Sequence, residues 1–203
     1  MTQKRNYVVT ALLVIGLSSV MIACNNNGDQ GSGGSDTVNN STNANNNTSQ
    51  SAEASLSSVY TDTTVNGTAR FEQTSNGRVK LTLDLTIPAK ANRSVAVHIH
   101  EHGDCGDTAR HAGGHWNPTG VNHGKWGENA FHAGDIGNIS LDGSGKGTFE
   151  VETDLWSVGG DERKNILNRS LVVHGGVDDY TTQPSGNSGT RIGCGTIKAK
   201  GGN

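Results

Sequence analysis

Residues 69–88 read ARFEQTSNGRVKLTLDLTIP, and the period of this stretch decides the fold. Ala69, Phe71 and Gln73 alternate with Arg70, Glu72 and Thr74, and Val79, Leu81, Leu83, Leu85 and Ile87 alternate with Lys80, Thr82, Asp84 and Thr86. A period of two sends alternate side chains to opposite faces, so both runs are strands, the second with its odd-numbered residues inward. Ser75-Asn76-Gly77 between them is a hairpin turn, and Pro88, which has no N–H to donate, ends the second strand.

Further strands are predicted over Ser94–His100, Ile136–Leu141, Thr148–Thr153, Ser170–His174 and Arg191–Lys198. The 29 glycines, three prolines and 4% aromatic content fit short strands and many turns, so the fold class is all-β in one domain. Asp142-Gly-Ser-Gly-Lys-Gly-Thr148 lacks the ligand spacing of a calcium loop and the GxxxxGK of a phosphate loop, and it reads as a hairpin turn. Leu155–Arg169 reads as a loop with one helical turn around Glu162–Leu167.

The N-terminus carries targeting information. Lys4 and Arg5 precede a short apolar run from Tyr7 to Ile22, the pattern of a secretory signal over residues 1–23. The run ends in Met21-Ile22-Ala23-Cys24, which resembles a bacterial lipobox with Cys24 as the lipidated residue; an ordinary cleaved signal is the alternative. The following Asn/Ser/Gly-rich tract cannot bury enough apolar surface to offset its ordering entropy, and residues 24–53 are expected to be a flexible tether. Residues 54–203 form the folded domain. Removing residues 1–23 takes away two positive charges and no acid, moving the formal charge from −3 to −5, which disfavours nucleic-acid binding. Export implies a compartment where disulfides persist, and with Cys24 acylated the other two cysteines, Cys105 and Cys194, make one even pair.

Seven of the eight histidines lie between His98 and Asp135. Imidazole at this density suggests metal coordination, acid–base chemistry, or both. In Ser94–His100, Val95, Val97 and Ile99 share the core face while His98 and His100 share the other, so a metal there would sit outside the sheet under the loop that follows. That loop, Glu101 to about Ala133, is too long to be structureless in a compact domain and needs ties. Lone histidines and a lone HxH are weak signals, and His102, His111, Trp116 and Trp126 are read as surface or loop-packing residues. A metal-binding envelope lipoprotein and a β-sandwich surface-binding module remain open on these residues alone.

Taken together, VHIHEHGD, AGGHWNP, His123 followed by FHAGDIGN, LVVHGGVDD and SGNSGTRIGCG resemble the copper/zinc superoxide dismutase family over about residues 54–199, in its bacterial lipoprotein form. The resemblance implies an eight-stranded Greek-key β-barrel or sandwich with long metal-binding and active-site loops. It implies copper on His98, His100, His115 and His174, and zinc on His115, His123, His132 and Asp135. Asp178 would link His98 to His123, Cys105 would bond Cys194, and Arg191 would hold superoxide. The implied activity is disproportionation of superoxide to dioxygen and hydrogen peroxide in the cell envelope, facing the periplasm or the exterior. Copper would cycle by one electron and His115 would carry the proton. The partners are then superoxide and, through Cys24, a membrane; monomer and homodimer both remain open. The loop Gly175–Gly189 has no Lys or Glu, unlike the eukaryotic members, so steering rests on Arg191 and on Lys125 or other loops.

Overall fold

The computed structural model describes residues 50–201. The signal sequence, Cys24 and the tether up to residue 49 lie outside the described residues. The strands are β1 Ser51–Ser58, β2 Asn66–Gln73, β3 Val79–Thr86, β4 Ser94–His100, β5 Gly137–Ser140, β6 Lys146–Thr153, β7 Ser170–His174, β8 Arg191–Thr196 and the short β9 Lys198–Ala199. All pair antiparallel in the order β5-β4-β7-β8-β1-β2-β3-β6, with β9 on β1. The β3–β4 and β6–β7 connections each pass over two strands around this nearly closed eight-stranded barrel, as a Greek key requires.

The alternation read from β3 is present: Val79, Leu81, Leu83, Leu85 and Ile87 are all buried, against Ala69 and Phe71 of β2. Gly77 takes φ +80° in the β2–β3 turn, a conformation open to glycine at no steric cost. Trp156 closes one end of the core, 5.9 Å from Phe71 between ring centroids, and Trp126 packs against it at 5.2 Å with the rings tilted.

Three expectations change. Strand β1 begins at Ser51, so residues 51–53 belong to the barrel and not to the tether; Ala52, Ala54 and Leu56 point into the core. Asp142–Gly145 is a tight turn, but β5 and β6 form no ladder: they meet at the seam where the barrel is not hydrogen-bonded shut. Glu162–Leu167 is no helix. Asp161 accepts the N–H groups of Lys164 and Asn165 at 2.9 and 2.8 Å, and the turn stops there.

Candidate metal centre

His98 and His100 stand on the outer face of β4, yet they are 0% and 1% exposed because Glu101–Ile136 folds back over them. The loop is tied to β4 by its backbone: Trp116 N–H donates to Ile99 O at 2.8 Å, and Ile99 N–H to Gly134 O at 2.9 Å. Gly134 is required at this approach, since a Cβ there would lie 2.2 Å from the Ile99 carbonyl oxygen. Trp116 anchors the loop in the core, and Arg169 lies 4.2 Å over its ring. The loop between β7 and β8 covers the other side and brings Asp178 inward, 3% exposed.

The potential ligand atoms fall into two groups, His98, His100, His115 and His174, and His115, His123, His132 and Asp135, each with its atoms within 4.8 Å of one another. The hydrogen bonds decide which nitrogen of each ring is free. A carbonyl can only accept, so the Gly113 carbonyl, 3.0 Å from His100 Nδ1, puts the proton there and leaves Nε2 bare. The Gly189 carbonyl does the same for His174 Nδ1 at 3.2 Å, and the Val121 carbonyl for His132 Nε2 at 3.1 Å. Asp178 accepts hydrogen bonds from His98 Nε2 at 2.8 Å and His123 Nε2 at 2.9 Å. The freed nitrogens converge, and four buried ones, His98 Nδ1, His115 Nε2, His123 Nδ1 and His132 Nδ1, have no hydrogen-bond partner. Leaving a buried polar atom unsatisfied costs about 1–3 kcal/mol each, so four in one small volume fit a cation-binding centre far better than a packed polar cluster.

His115 is the one residue common to both groups. Its Nδ1 lies 2.8 Å from Asp135 Oδ1, while Nε2 faces His98, His100 and His174. Asp135 also lies 2.9 Å from His123 Nδ1 and 3.2 Å from His132 Nδ1, and it accepts the His132 and Gly124 N–H groups. In the protein alone, burial lowers His115 to about 4 and His174 to about 3, which favours neutral, metal-competent imidazole. Burial opposes protonation of His123 too, but the Asp135 carboxylate close to Nδ1 and the hydrogen bond from Nε2 to Asp178 outweigh it and raise His123 to about 9. Burial also works to raise Asp178, but donors from His123, His98 and Tyr180 hold it well below the usual carboxylate range.

A cleft of about 870 Å³ opens on this centre, lined by His100, His115 and His174 together with Arg191. The Arg191 guanidinium is forked between two carbonyls, Ala109 O and, at 2.7 Å, Gly113 O. Gly113 O thus orients both His100 and Arg191. Cys105 and Cys194 are bonded, pinning the loop beside β8. Lys125 does not line the cleft and pairs with Glu128 at 3.3 Å, so the cation expected to assist Arg191 is absent there; Glu101 is the one acid in the lining. His102 and His111 are exposed and belong to neither group.

Sequence reasoning assigned no role to Asn138. Its amide clamps the Asp178 backbone at both ends, Oδ1 accepting from Asp178 N at 2.8 Å and Nδ2 donating to Asp178 O at 2.9 Å. An asparagine inside a strand, where that residue type is depleted, was the available signal.

The family model described as copper/zinc superoxide dismutase matches residues 65–197. The chain belongs to the copper/zinc superoxide dismutase family. It is a superoxide dismutase of the kind that uses copper and zinc. Among its relatives, superoxide dismutase [Cu-Zn] 2 of Aquifex aeolicus is 36% identical over 155 residues, covering 74% of this chain and 89% of the relative. Superoxide dismutase [Cu-Zn] of Podospora anserina is 38% identical over 143 residues, 67% of this chain and 91% of the relative. The extracellular superoxide dismutase [Cu-Zn] of Caenorhabditis elegans is 36% identical over 137 residues, 64% and 60% respectively. Among solved structures, the clock protein EA4 superposes with a TM-score of 0.64 at 30% identity, covering 74% of this chain and 95% of that one.

Proposed function

We propose that the protein disproportionates superoxide in the cell envelope, with copper held by His98 Nδ1, His100 Nε2, His115 Nε2 and His174 Nε2, and zinc by His115 Nδ1, His123 Nδ1, His132 Nδ1 and Asp135. The observation that carries this division is the set of buried ring nitrogens left without partners, each turned inward because a carbonyl or carboxylate takes the other nitrogen of its ring. Three histidines and one carboxylate make a closed tetrahedral set suited to structural zinc, and four imidazoles suit copper. Copper supplies one-electron redox cycling, and zinc supplies a fixed positive charge beside the shared imidazole.

The residues supply the rest. Arg191 attracts the anion and orients it at the floor of the cleft, and it keeps its charge even though burial lowers its pKa. His115, which lines the cleft, would hold and deliver a proton at Nε2 whenever that nitrogen is not on copper. Asp178 fixes the ring orientations of His98 and His123 together, so the two halves cannot shift independently.

Residues 1–23 are assigned as the signal sequence, Cys24 as the lipid attachment site and the stretch up to residue 50 as the tether. The lipobox-like Met21-Ile22-Ala23-Cys24, the Cys105–Cys194 disulfide and an extracellular relative support this location, with the domain facing the periplasm or the exterior. The catalytic reading is tested by measuring superoxide disappearance with the metal-loaded protein and after chelation. Loss on chelation and recovery with copper are expected, and full copper loading without turnover would refute it. The anchor is tested by a labelled fatty acid, which should mark the wild type and not Cys24→Ala; equal labelling would remove it.

A further inference from the structure

The β7–β8 loop has to close over the metal centre, and its two ends and its tip are held differently. Near the strands, backbone bonds suffice: Gly175 N–H donates to Thr190 O at 2.7 Å and Gly176 N–H to Ser188 O at 3.0 Å. The tip has no strand to pair with. There the Gln183 side chain acts as a substitute peptide group, with Oε1 accepting the His123 N–H at 2.9 Å and Nε2 donating to the His123 carbonyl at 2.9 Å. A primary amide offers one acceptor and two donors, so it can satisfy both backbone groups of one residue at once. Its second donor reaches back to Thr181 O at 3.3 Å and steadies the tip.

The same loop also grips the His123 ring. Asp178 Oδ1 accepts from Nε2 at 2.9 Å, and the backbone of Gly186 lies directly over that bond. A Cβ at Gly186, whose φ is +66°, would fall 1.8 Å from Asp178 Oδ1 and 2.6 Å from His123 Nε2. Asp179 holds the turn that carries both residues: its N–H donates to Gly186 O at 2.9 Å, and Oδ1 accepts the Thr182 N–H at 2.8 Å. His123 is therefore fastened at its backbone by Gln183 and at its ring by Asp178, both from one short loop that also lines the cleft.

We propose that Gln183 is a positioning residue that latches the β7–β8 loop onto His123, making retention of zinc and closure of the cleft a single event. This rests on the assignment of His123 to zinc. Holding a ligand's backbone in place removes the freedom that it would otherwise lose on binding, and partners just outside the ligands change metal affinity by about 10- to 100-fold. The latch is uncharged, so it holds independently of salt.

The test compares wild type, Gln183→Ala and Gln183→Glu in two measurements. In the metal-free chain, hydrogen exchange of the His123 amide should be at least about tenfold faster in Gln183→Ala, while Gln183→Glu keeps the acceptor and retains protection. In the copper- and zinc-loaded chain, zinc release to a chromogenic chelator should be about tenfold faster in Gln183→Ala, with copper release changed much less. Unaltered amide exchange, unaltered zinc release, or an equal acceleration of both metals would each overturn the proposal, the last because it reports general loosening. His132→Ala separates this from the zinc assignment itself: if that variant kept zinc as the wild type does, the assignment would fail whatever Gln183 did.

Discussion

His115→Ala is expected to lower superoxide consumption by at least about a hundredfold at pH 7 while leaving the barrel folded. Positioned proton transfer alone contributes about 10²- to 10⁴-fold where a side chain carries it, and His115 lines the cleft while its buried Nε2 has no hydrogen-bond partner. Its loss also takes one ligand from each group at once, which no other single replacement does. The His115 ring centroid is 3.9 Å from that of His98 and 5.3 Å from that of His123, so it is the packing link between the halves as well. His132→Ala is the comparison: it removes one ligand from the second group only, and its expected loss is in zinc content before activity. Superoxide disappearance measured beside elemental copper and zinc content checks both. A His115→Ala protein loaded with both metals and within tenfold of wild-type rate would overturn the role given to this imidazole.

Strand positions were legible where side chains alternate strongly. Val79 to Ile87 alone determined β3, and the same alternation put His98 and His100 on the face away from the core. Strand β1 was not legible at all, because SAEASLSS runs on from an Asn/Ser tract and its inward residues are Ala52, Ala54 and Leu56, of which only the leucine carries a strong hydrophobic signal. Ligand types and order could be read from the chain, but which nitrogen each ring presents could not. That depends on carbonyls such as Gly113 and Gly189, whose directions are set by loop conformation and leave no mark on residue type. Gln183 is the extreme case, an exposed amide whose partner lies 60 residues away.

Removing the disulfide, as in the double variant Cys105→Ser with Cys194→Ser, is expected to lower stability by about 4 kcal/mol and the melting temperature by about 8–16 °C. The two cysteines are 89 residues apart, and cross-linking a loop of that length restricts the unfolded chain strongly in the chain-entropy treatment. A second consequence follows from the backbone. Cys105 leads into the short turn α1, Gly106–Ala109, where Asp107, Thr108 and Ala109 take φ of 48°, 53° and 63°. Left-handed conformation costs roughly 1–2 kcal/mol per non-glycine residue, so the segment persists only while its surroundings hold it. The holders are the disulfide, the packing of Ala109 and Ala112 against Val172 and Cys194, and Arg191, which donates to the Ala109 carbonyl. Without the bond the turn can relax and carry that carbonyl away, leaving the guanidinium on Gly113 O alone. Activity should therefore fall beyond what the folded fraction explains. Urea unfolding, with the superoxide rate measured under fully folding conditions, separates the two effects. An unchanged midpoint would remove the stability argument, and a full rate in the folded variant would show that Gly113 alone holds Arg191 in place.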